Sequence, residues 1–317
     1  MIKAYNRSIF FSVIIATFNR CESLRSTLDS FLTQELCASF DYEIIIVDNN
    51  SKDETKKVFE SYSLRFNSKL KYIFEPCQGK SHALNTGIKE ARGEIIALTD
   101  DDCIMDKRWL YSLYVAFRDY GASCVGGKIL PIWPSQRPTW LGDHILSKLA
   151  ILDYGDNPFQ ITSRQKALYG ANLAIKKDKL SKQNPFNINL GRKGYKLYGG
   201  EDEKIFQDML DAGEKIFYQP EAIVFHKIPL DRVKKNYFRK YNFDSYRSLI
   251  RFDENSEKSL VKYFNIPRYL FKKFLKSFIF WLAGILSFQR SKNFENELKC
   301  WAVLGQMYEY YSNRKNV

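Results

Sequence analysis

Three short apolar runs, residues 12–16 (Ser-Val-Ile-Ile-Ala), 43–47 (Glu-Ile-Ile-Ile-Val) and 94–99 (Glu-Ile-Ile-Ala-Leu-Thr), each give way abruptly to polar residues, and this repeated design restricts the fold more than anything else in the chain. Unbroken runs of four apolar residues bounded by polar residues and turn signals read as buried strands. Between them lie stretches with helical spacing: residues 22–32, with Leu24, Leu28, Phe31 and Leu32 on one face; residues 54–62, behind the polar turn 48–53; and residues 81–91, opened by Gln78-Gly79-Lys80. A further strand is predicted over 70–74. Strands alternating with helices at this spacing predict βαβ units, hence an α/β protein with a mainly parallel central sheet flanked by helices.

After Gly121 the pattern changes. A short strand is predicted over 125–129, followed by an irregular segment containing Pro131, Trp133, Pro134, Pro138 and Trp140, which has the look of a pocket rim. Strands are predicted over 169–175, 216–218 and 222–226, and a helix after Gly199-Gly200-Glu201-Asp202, with Ile205, Phe206, Met209 and Leu210 as its apolar positions. Beyond Pro229 the chain reads as helical.

Composition sets the outer limits. With 317 residues, 45% of them hydrophobic, the chain can bury a substantial core, and one elaborated domain with an appendage is expected. The six cysteines form no CxxC pair and no Cys/His cluster at zinc spacing, so reduced cytosolic thiols are the default. Residues 9–18, preceded by Lys3 and Arg7, superficially resemble a secretory leader, but Asn19-Arg20 stands where a cleavage site needs small residues; the stretch is read as the first core strand.

Three consecutive carboxylates, Asp100, Asp101 and Asp102, follow the run at 94–99. They therefore emerge at the carboxyl edge of a parallel sheet, where open α/β folds bind ligands. Like charges so close repel unless a cation sits among them, and Mg²⁺ or Mn²⁺, which takes oxygen ligands and shares them with a substrate diphosphate, is an economical candidate. The plainer reading is an acidic loop in which Asp100 caps the next helix. If the segment stays extended, Asp100 and Asp102 project to one side and Asp101 to the other.

The net charge of +13 is concentrated. Residues 227–276 carry fourteen Lys/Arg against five Asp/Glu, which points to an anionic partner, unless the stretch is simply a solvated basic face. Nucleic acid is not favoured as that partner, because no DNA- or RNA-binding signature is visible and such a role leaves the clustered carboxylates unexplained. A nucleotidyltransferase should carry a glycine-rich loop directly after the first strand, and residues 17–21 contain no glycine.

Taken in order, Ser12-Val13-Ile14-Ile15-Ala16-Thr17-Phe18-Asn19-Arg20, Val47-Asp48-Asn49-Asn50-Ser51-Lys52-Asp53, Gly79-Lys80 with Asn85-Thr86-Gly87, Thr99 to Asp102, and Gly199-Gly200-Glu201-Asp202 resemble the family 2 glycosyltransferases, over about residues 9 to 228. The resemblance implies a GT-A nucleotide-diphospho-sugar transferase fold, a nucleotide-sugar donor, a divalent metal and inversion at the anomeric carbon. It divides the expected GT-A domain into a nucleotide-sugar-binding half (1–125) and an acceptor-binding half (126–228), and the basic helical region (229–317) read from charge and apolar spacing follows. It puts Thr17, Asn19 and Arg20 on the nucleotide-facing first turn and Asp48 at the base. Asn50, Gly79, Lys80, Asp100 and Asp101 complete the expected donor site. The family commonly reads Asp-Asp-Gly-Ser where this chain has Asp48-Asn49-Asn50-Ser51, so the base stays open. Independently, Gly79 permits close backbone approach, and Lys80 at a helix N-terminus offers a charge and N–H donors to phosphate.

The family's aspartate motif can be aligned in two registers. Asp102 is the favoured metal ligand, with Asp100 and His226 as further candidates, and Asp100 or Asp101 on the sugar or ribose side. Asp202 is expected to be the general base and Glu201 to orient the acceptor; the plainer reading has both merely complementing a helix dipole. A catalytically inactive sugar-nucleotide-binding protein is the alternative.

Phe271, Phe274, Leu275, Phe278, Leu282, Ile285 and Leu286 recur at helical spacing beside Lys272, Lys273 and Lys276. That pattern fits a helix lying in a membrane interface, the apolar stretch being too short to span, or else a helix packed on the core. The first reading suits a polyprenyl-diphosphate-linked or other glycan acceptor and a peripheral position on the cytoplasmic face of an anionic membrane.

Overall fold

The computed structural model describes residues 9–37, 40–180, 183–194, 196–252, 261–285 and 290–312. Lys3, Arg7 and Leu286, invoked above, lie outside these residues. The chain forms two compact units, one drawn from residues 1–132, 150–189 and 201–227, the other from 133–149, 190–200 and 228–317.

The first unit is built on a sheet of nine strands among the described residues: β1 Ile9–Thr17, β2 Phe40–Asp48, β3 Leu70–Phe74, β4 Ile95–Asp100, β5 Cys103–Met105, β6 Cys124–Ile132, β7 Phe159–Ile161, β8 Leu173–Lys176 and β9 Ile216–Lys227. They are ordered β3-β2-β1-β4-β8-β6-β9-β5, with β7 on β9. The helices of this unit are α1 Cys21–Phe31, α2 Thr55–Ser63, α3 Lys80–Glu90, α4 Trp109–Asp119 and α5 Glu201–Asp211. Strands β3, β2, β1 and β4 are parallel, as the βαβ pattern predicts. Beyond them the sheet is mixed: β8 runs antiparallel to both β4 and β6, whereas β6 and β9 are parallel. Val13, Ile14 and Ile15, residues 44–47, and Ile96 to Leu98 are all buried, which is why their runs show no alternation. In this register Thr17 lies beside Asp48, and Ala16 beside Asp100. The polar residues that end each apolar run are thereby collected at one edge of the sheet.

Neither α4 nor the short strand β5 was expected from the sequence, and the two strands predicted at 216–218 and 222–226 are one. Strand β9 pairs with β6 from Cys124–Ile216 to Gly127–Gln219 and resumes at Ile129–Val224, so extra residues of β9, including Pro220, are looped into a bulge. Proline has no N–H to give to a ladder, and the bulge removes the need for one. Asn172 closes the gap: its Nδ2 donates to Lys128 O at 2.8 Å and to Ala222 O at 2.7 Å, while Trp109 Nε1 donates to its Oδ1 at 2.8 Å. Residues 169–175, predicted as a strand throughout, contain a 3₁₀ turn at Gly170–Asn172 before β8 begins.

The second unit is largely helical, with α6 Lys235–Phe252, α7 Arg268–Ile285 and α8 Arg290–Ser312. Trp140 packs edge-on against Phe238 and Phe294, with ring centroids 5.6 and 4.9 Å away. Arg239–Glu297 and Arg247–Glu309 pair α6 with α8. Among the described residues no helix is long and apolar enough to cross a membrane.

Candidate active site

Strand β4 ends at Asp100, and the chain then turns rather than continuing extended. The expected alternation of the three aspartates therefore fails. Asp101 and Asp102 share one guanidinium: Arg20 Nη1 lies 3.1 Å from Asp101 Oδ1 and 2.6 Å from Asp102 Oδ2. Asp100 instead pairs with Lys80 Nζ at 2.9 Å. Thr17 Oγ1 donates to Asp101 Oδ2 at 2.7 Å, and Thr27 Oγ1 to the Asp101 carbonyl at 2.9 Å, fixing the turn from beneath. Two cations of the chain itself, Arg20 and Lys80, thus stand among the three carboxylates.

These pairs set the ionisation states. Burial pulls Arg20 down, but Asp101 and Asp102 outweigh it and hold the guanidinium firmly protonated. Burial likewise opposes the charge on Lys80, and Asp100, Asp202 and Glu201 together raise it. Burial raises Asp100 too, yet Lys80 wins and keeps it below the usual carboxylate range. Asp101 is the exception: burial, with help from Asp102, pushes it up to about 6 against the pull of Arg20.

A second group of carboxylates stands at the start of α5. Glu201 is buried and its Oε1 lies 3.9 Å from Lys80 Nζ. Asp202 Oδ2 accepts the Gly170 N–H at 2.8 Å, whereas its Oδ1 is buried and accepts no hydrogen bond from a described residue. Lys80 therefore links the aspartate turn to the helix that carries Glu201 and Asp202.

The turn after β2 is held just as firmly. Asp48 Oδ1 accepts the Ser51 N–H at 2.9 Å and its Oδ2 accepts the Tyr72 hydroxyl at 2.7 Å. Asn19 and Asn50 both take left-handed backbone conformations, φ 53° and 65°, which asparagine tolerates better than other side chains. Asn19 Oδ1 accepts the Lys52 N–H at 2.7 Å, and Asn19 N–H donates to Ser51 Oγ at 2.9 Å, so the first and second turns are latched together. Gly79, at φ 145°, adopts a backbone that side chains rarely reach, and it caps α3 directly before Lys80.

Three further residues, Asn49, Tyr72 and Gly170, support the site. Asn49 Nδ2 donates to Cys77 O at 2.7 Å and its Oδ1 accepts the Gly79 N–H at 2.7 Å, so it shapes the loop that presents Lys80. Tyr72 braces Asp48, and Gly170 braces Asp202. An asparagine in a turn after a strand is a general sign of such side-chain to backbone bonding; the other two carry no local signal, because their partners are 24 and 32 residues away.

His226 Nε2 lies 3.3 Å from Asp102 Oδ1, and the backbone holds them in place, with His226 opposite Cys103 in the β5–β9 ladder and Lys227 N–H donating to Asp102 O at 2.9 Å. Among the described residues no three His, Cys, Asp or Glu side chains are grouped closely enough to cage a metal ion. Two donors of this kind fit a hard divalent ion that draws its other ligands from a substrate diphosphate and water.

A parallel sheet edge, a helix N-terminus that carries a lysine, and two acidic groups joined through that lysine form an arrangement suited to an anionic ligand. The family profile for glycosyl transferase family 2 matches residues 12–182. The chain belongs to that family, is a glycosyltransferase, and has the GT-A fold. It is 24% identical over 221 residues to the glucosyl-dolichyl phosphate glucuronosyltransferase of Haloferax volcanii, covering 68% of this chain and 69% of that one. The mannosyltransferase PcManGT of Pyrobaculum calidifontis, solved with GDP-Man and Mn²⁺, superposes with a TM-score of 0.62 at 16% identity, over 95% of this chain and 88% of that one. Residues 1–349 of S. aureus TarS, solved with UDP, superpose with a TM-score of 0.55 at 16% identity, over 97% and 92%.

Proposed function

We propose that this glycosyltransferase moves a sugar from a nucleotide-diphosphate donor, UDP-linked, to a hydroxyl of a glycan or lipid-linked acceptor, inverting the anomeric carbon, with Asp202 as general base. The observation that carries this reading is the state of the Asp202 carboxylate: one oxygen is fixed by Gly170 N–H, and the other is buried and accepts nothing from the described residues. A buried, oriented carboxylate oxygen of this kind suits the proton of an incoming hydroxyl. In one displacement, the acceptor oxygen bonds to the anomeric carbon as its proton passes to Asp202 Oδ1. The bond from that carbon to the diphosphate oxygen breaks, and its electron pair leaves with the nucleotide diphosphate.

The remaining residues take the roles that the family resemblance implies. Asp48, Thr17, Asn19 and Asn50 form the nucleoside end, with Tyr72 and Asn49 positioning them. Lys80 and Arg20 face the diphosphate, with Asp100 and Asp101 towards the sugar and ribose. Glu201 orients the acceptor. Mg²⁺ or Mn²⁺ held by Asp102 and His226, with Asp100 nearby, would neutralise charge developing on the diphosphate.

The similar proteins support the donor and acceptor classes without deciding them. PcManGT was solved with GDP-Man and TarS with UDP, so the shared fold admits more than one base. The Haloferax relative's name specifies a lipid-linked substrate, which favours an acceptor of that class here and a cytoplasmic enzyme attached peripherally to the inner face of the membrane, in the assembly of a cell-surface polysaccharide or glycan.

The test is Asp202→Asn. Transfer should fall on the order of 10²- to 10⁴-fold while binding of UDP-sugar, followed by thermal shift, is retained. A variant that transfers sugar at a near-wild-type rate would show that Asp202 is not the base.

A further inference from the structure

Helix α7 carries a surface that the transfer chemistry does not use. Residues 268–285 contain no aspartate or glutamate. Arg268, Lys272, Lys273 and Lys276 all fall in the first half of the helix, and residues 277–285 (Ser-Phe-Ile-Phe-Trp-Leu-Ala-Gly-Ile) bear no charge. One face is anchored within its own unit: Leu270 is buried with Val303 and Tyr310 of α8, and Phe274 packs against them. At Gly284 the two helices come so close that a Cβ would collide with Asn293. The opposite face is open, and beside Lys272 and Lys276 it presents apolar residues: Leu275 is 59% exposed, Ile279 56%, Leu282 45% and Phe271 37%.

The surface extends into the hairpin just before the helix, formed by β10 Lys262–Tyr263 and β11 Ile266–Pro267. Its two turn residues, Phe264 and Asn265, have φ of 52° and 69°, the left-handed geometry that two-residue hairpins require and that asparagine and glycine supply most easily. Phenylalanine there is strained, and it is also 77% exposed. The Tyr263 ring contacts Phe271 on α7, with centroids 6.5 Å apart. An aromatic held at a hairpin tip against its backbone preference, beside a helix with an open apolar face, gains nothing from folding alone.

We infer that the open face of α7 and the tip residue Phe264 together dock the protein onto an anionic lipid bilayer. Apolar residues at the bilayer surface enter the acyl boundary while Arg268, Lys272, Lys273 and Lys276 meet acidic headgroups. The polarity along the axis tilts the helix, its basic half towards the headgroups and its uncharged half inwards. Nine residues of helix span about 13 Å, which reaches into one leaflet without crossing it. A second copy of the chain is the poorer occupant, since this face would meet another set of lysines with no acidic residue to pair them. The inference gives a physical basis to the membrane location in the proposed function, and it does not depend on the transfer step.

The experiment is flotation of the full chain with vesicles of phosphatidylcholine alone or with phosphatidylglycerol, at low and high salt. Wild type should float with the anionic vesicles and be released by salt. Phe264→Gly should bind at least tenfold more weakly while keeping or raising the melting temperature, because glycine relieves the turn; a purely structural Phe264 would lower both. Lys272→Gln/Lys273→Gln/Lys276→Gln should lose about a hundredfold in affinity for anionic vesicles and most of the salt dependence. Equal flotation of wild type and both variants, or no flotation of wild type, overturns the inference, as does a wild-type dimer that Phe264→Gly dissociates. Donor hydrolysis measured without vesicles reads the proposed chemistry separately and should be unchanged in all of them.

Discussion

The Gly170 N–H donates to Asp202 Oδ2 at 2.8 Å, and a Cβ on Gly170 would stand 2.6 Å from Asp202 Oδ1. The glycine therefore does two things: its backbone fixes one carboxylate oxygen, and its missing side chain leaves room for the other. Gly170→Ala should displace the carboxylate and reduce kcat by roughly ten- to a hundredfold, since misplacing a catalytic group by about an ångström costs that order. The KM for donor should hardly change. Initial rates at saturating donor and acceptor test this, and an alanine variant with wild-type kcat rules out the positioning role.

Arg20 compensates two buried carboxylates. Arg20→Leu removes the guanidinium that Asp101 and Asp102 share, which should cost about 1–3 kcal/mol, the guanidinium being partly exposed. Because a divalent ion can replace the lost charge, Mn²⁺ should raise the melting temperature of the variant more than that of the wild type. Equal shifts in the two proteins would argue against a metal beside Asp102.

Asn49 acts on the lysine loop from one turn away. Asn49→Ala removes the bond to Gly79 N–H and the bond to Cys77 O, freeing the loop that presents Lys80. Each such bond is worth about 0.5–1.5 kcal/mol, so donor affinity should fall on the order of tenfold. Isothermal titration with the nucleotide diphosphate measures it, and unchanged affinity would place the diphosphate elsewhere.

A pH dependence of stability follows from Glu43, far from the reacting groups. Burial pushes its carboxyl up, but Ser12 Oγ at 2.6 Å, the Arg92 backbone N–H at 2.8 Å and Arg92 Nε at 2.9 Å reverse that and hold it below its ordinary 4.5. A carboxyl depressed by folding stabilises the protein above its unfolded value and loses that contribution as pH falls through the folded one. Glu43→Gln should therefore destabilise at pH 7, and the gap to wild type should narrow below about pH 4.5. Denaturant melts at both pH values check it; a constant gap would mean that charge is not what Glu43 contributes.

The strands at 12–16, 43–47 and 95–99 were legible because burial on both faces leaves an unbroken apolar signature. The same locality hid other elements. Pro220 splits the signal of β9, and nothing near it reveals that Asn172, fifty residues earlier, bonds the bulge carbonyl at Ala222. At the site, the types and order of acidic residues could be read directly. Their partners could not: Arg20 reaches residues 81 and 82 positions away, and the turn after Asp100 that brings both to one guanidinium breaks the alternation an extended chain would have kept.

The place of β9 in the sheet also limits how the protein can be divided. The stretch that bears the family signature, residues 12–182, ends before this strand, yet β9 pairs with β5, β6 and β7. An excised signature segment would leave three strands without their common neighbour and would lack residues 201, 202 and 226 altogether. The sequence by which the family is recognised is thus shorter than the smallest piece that can complete its own sheet.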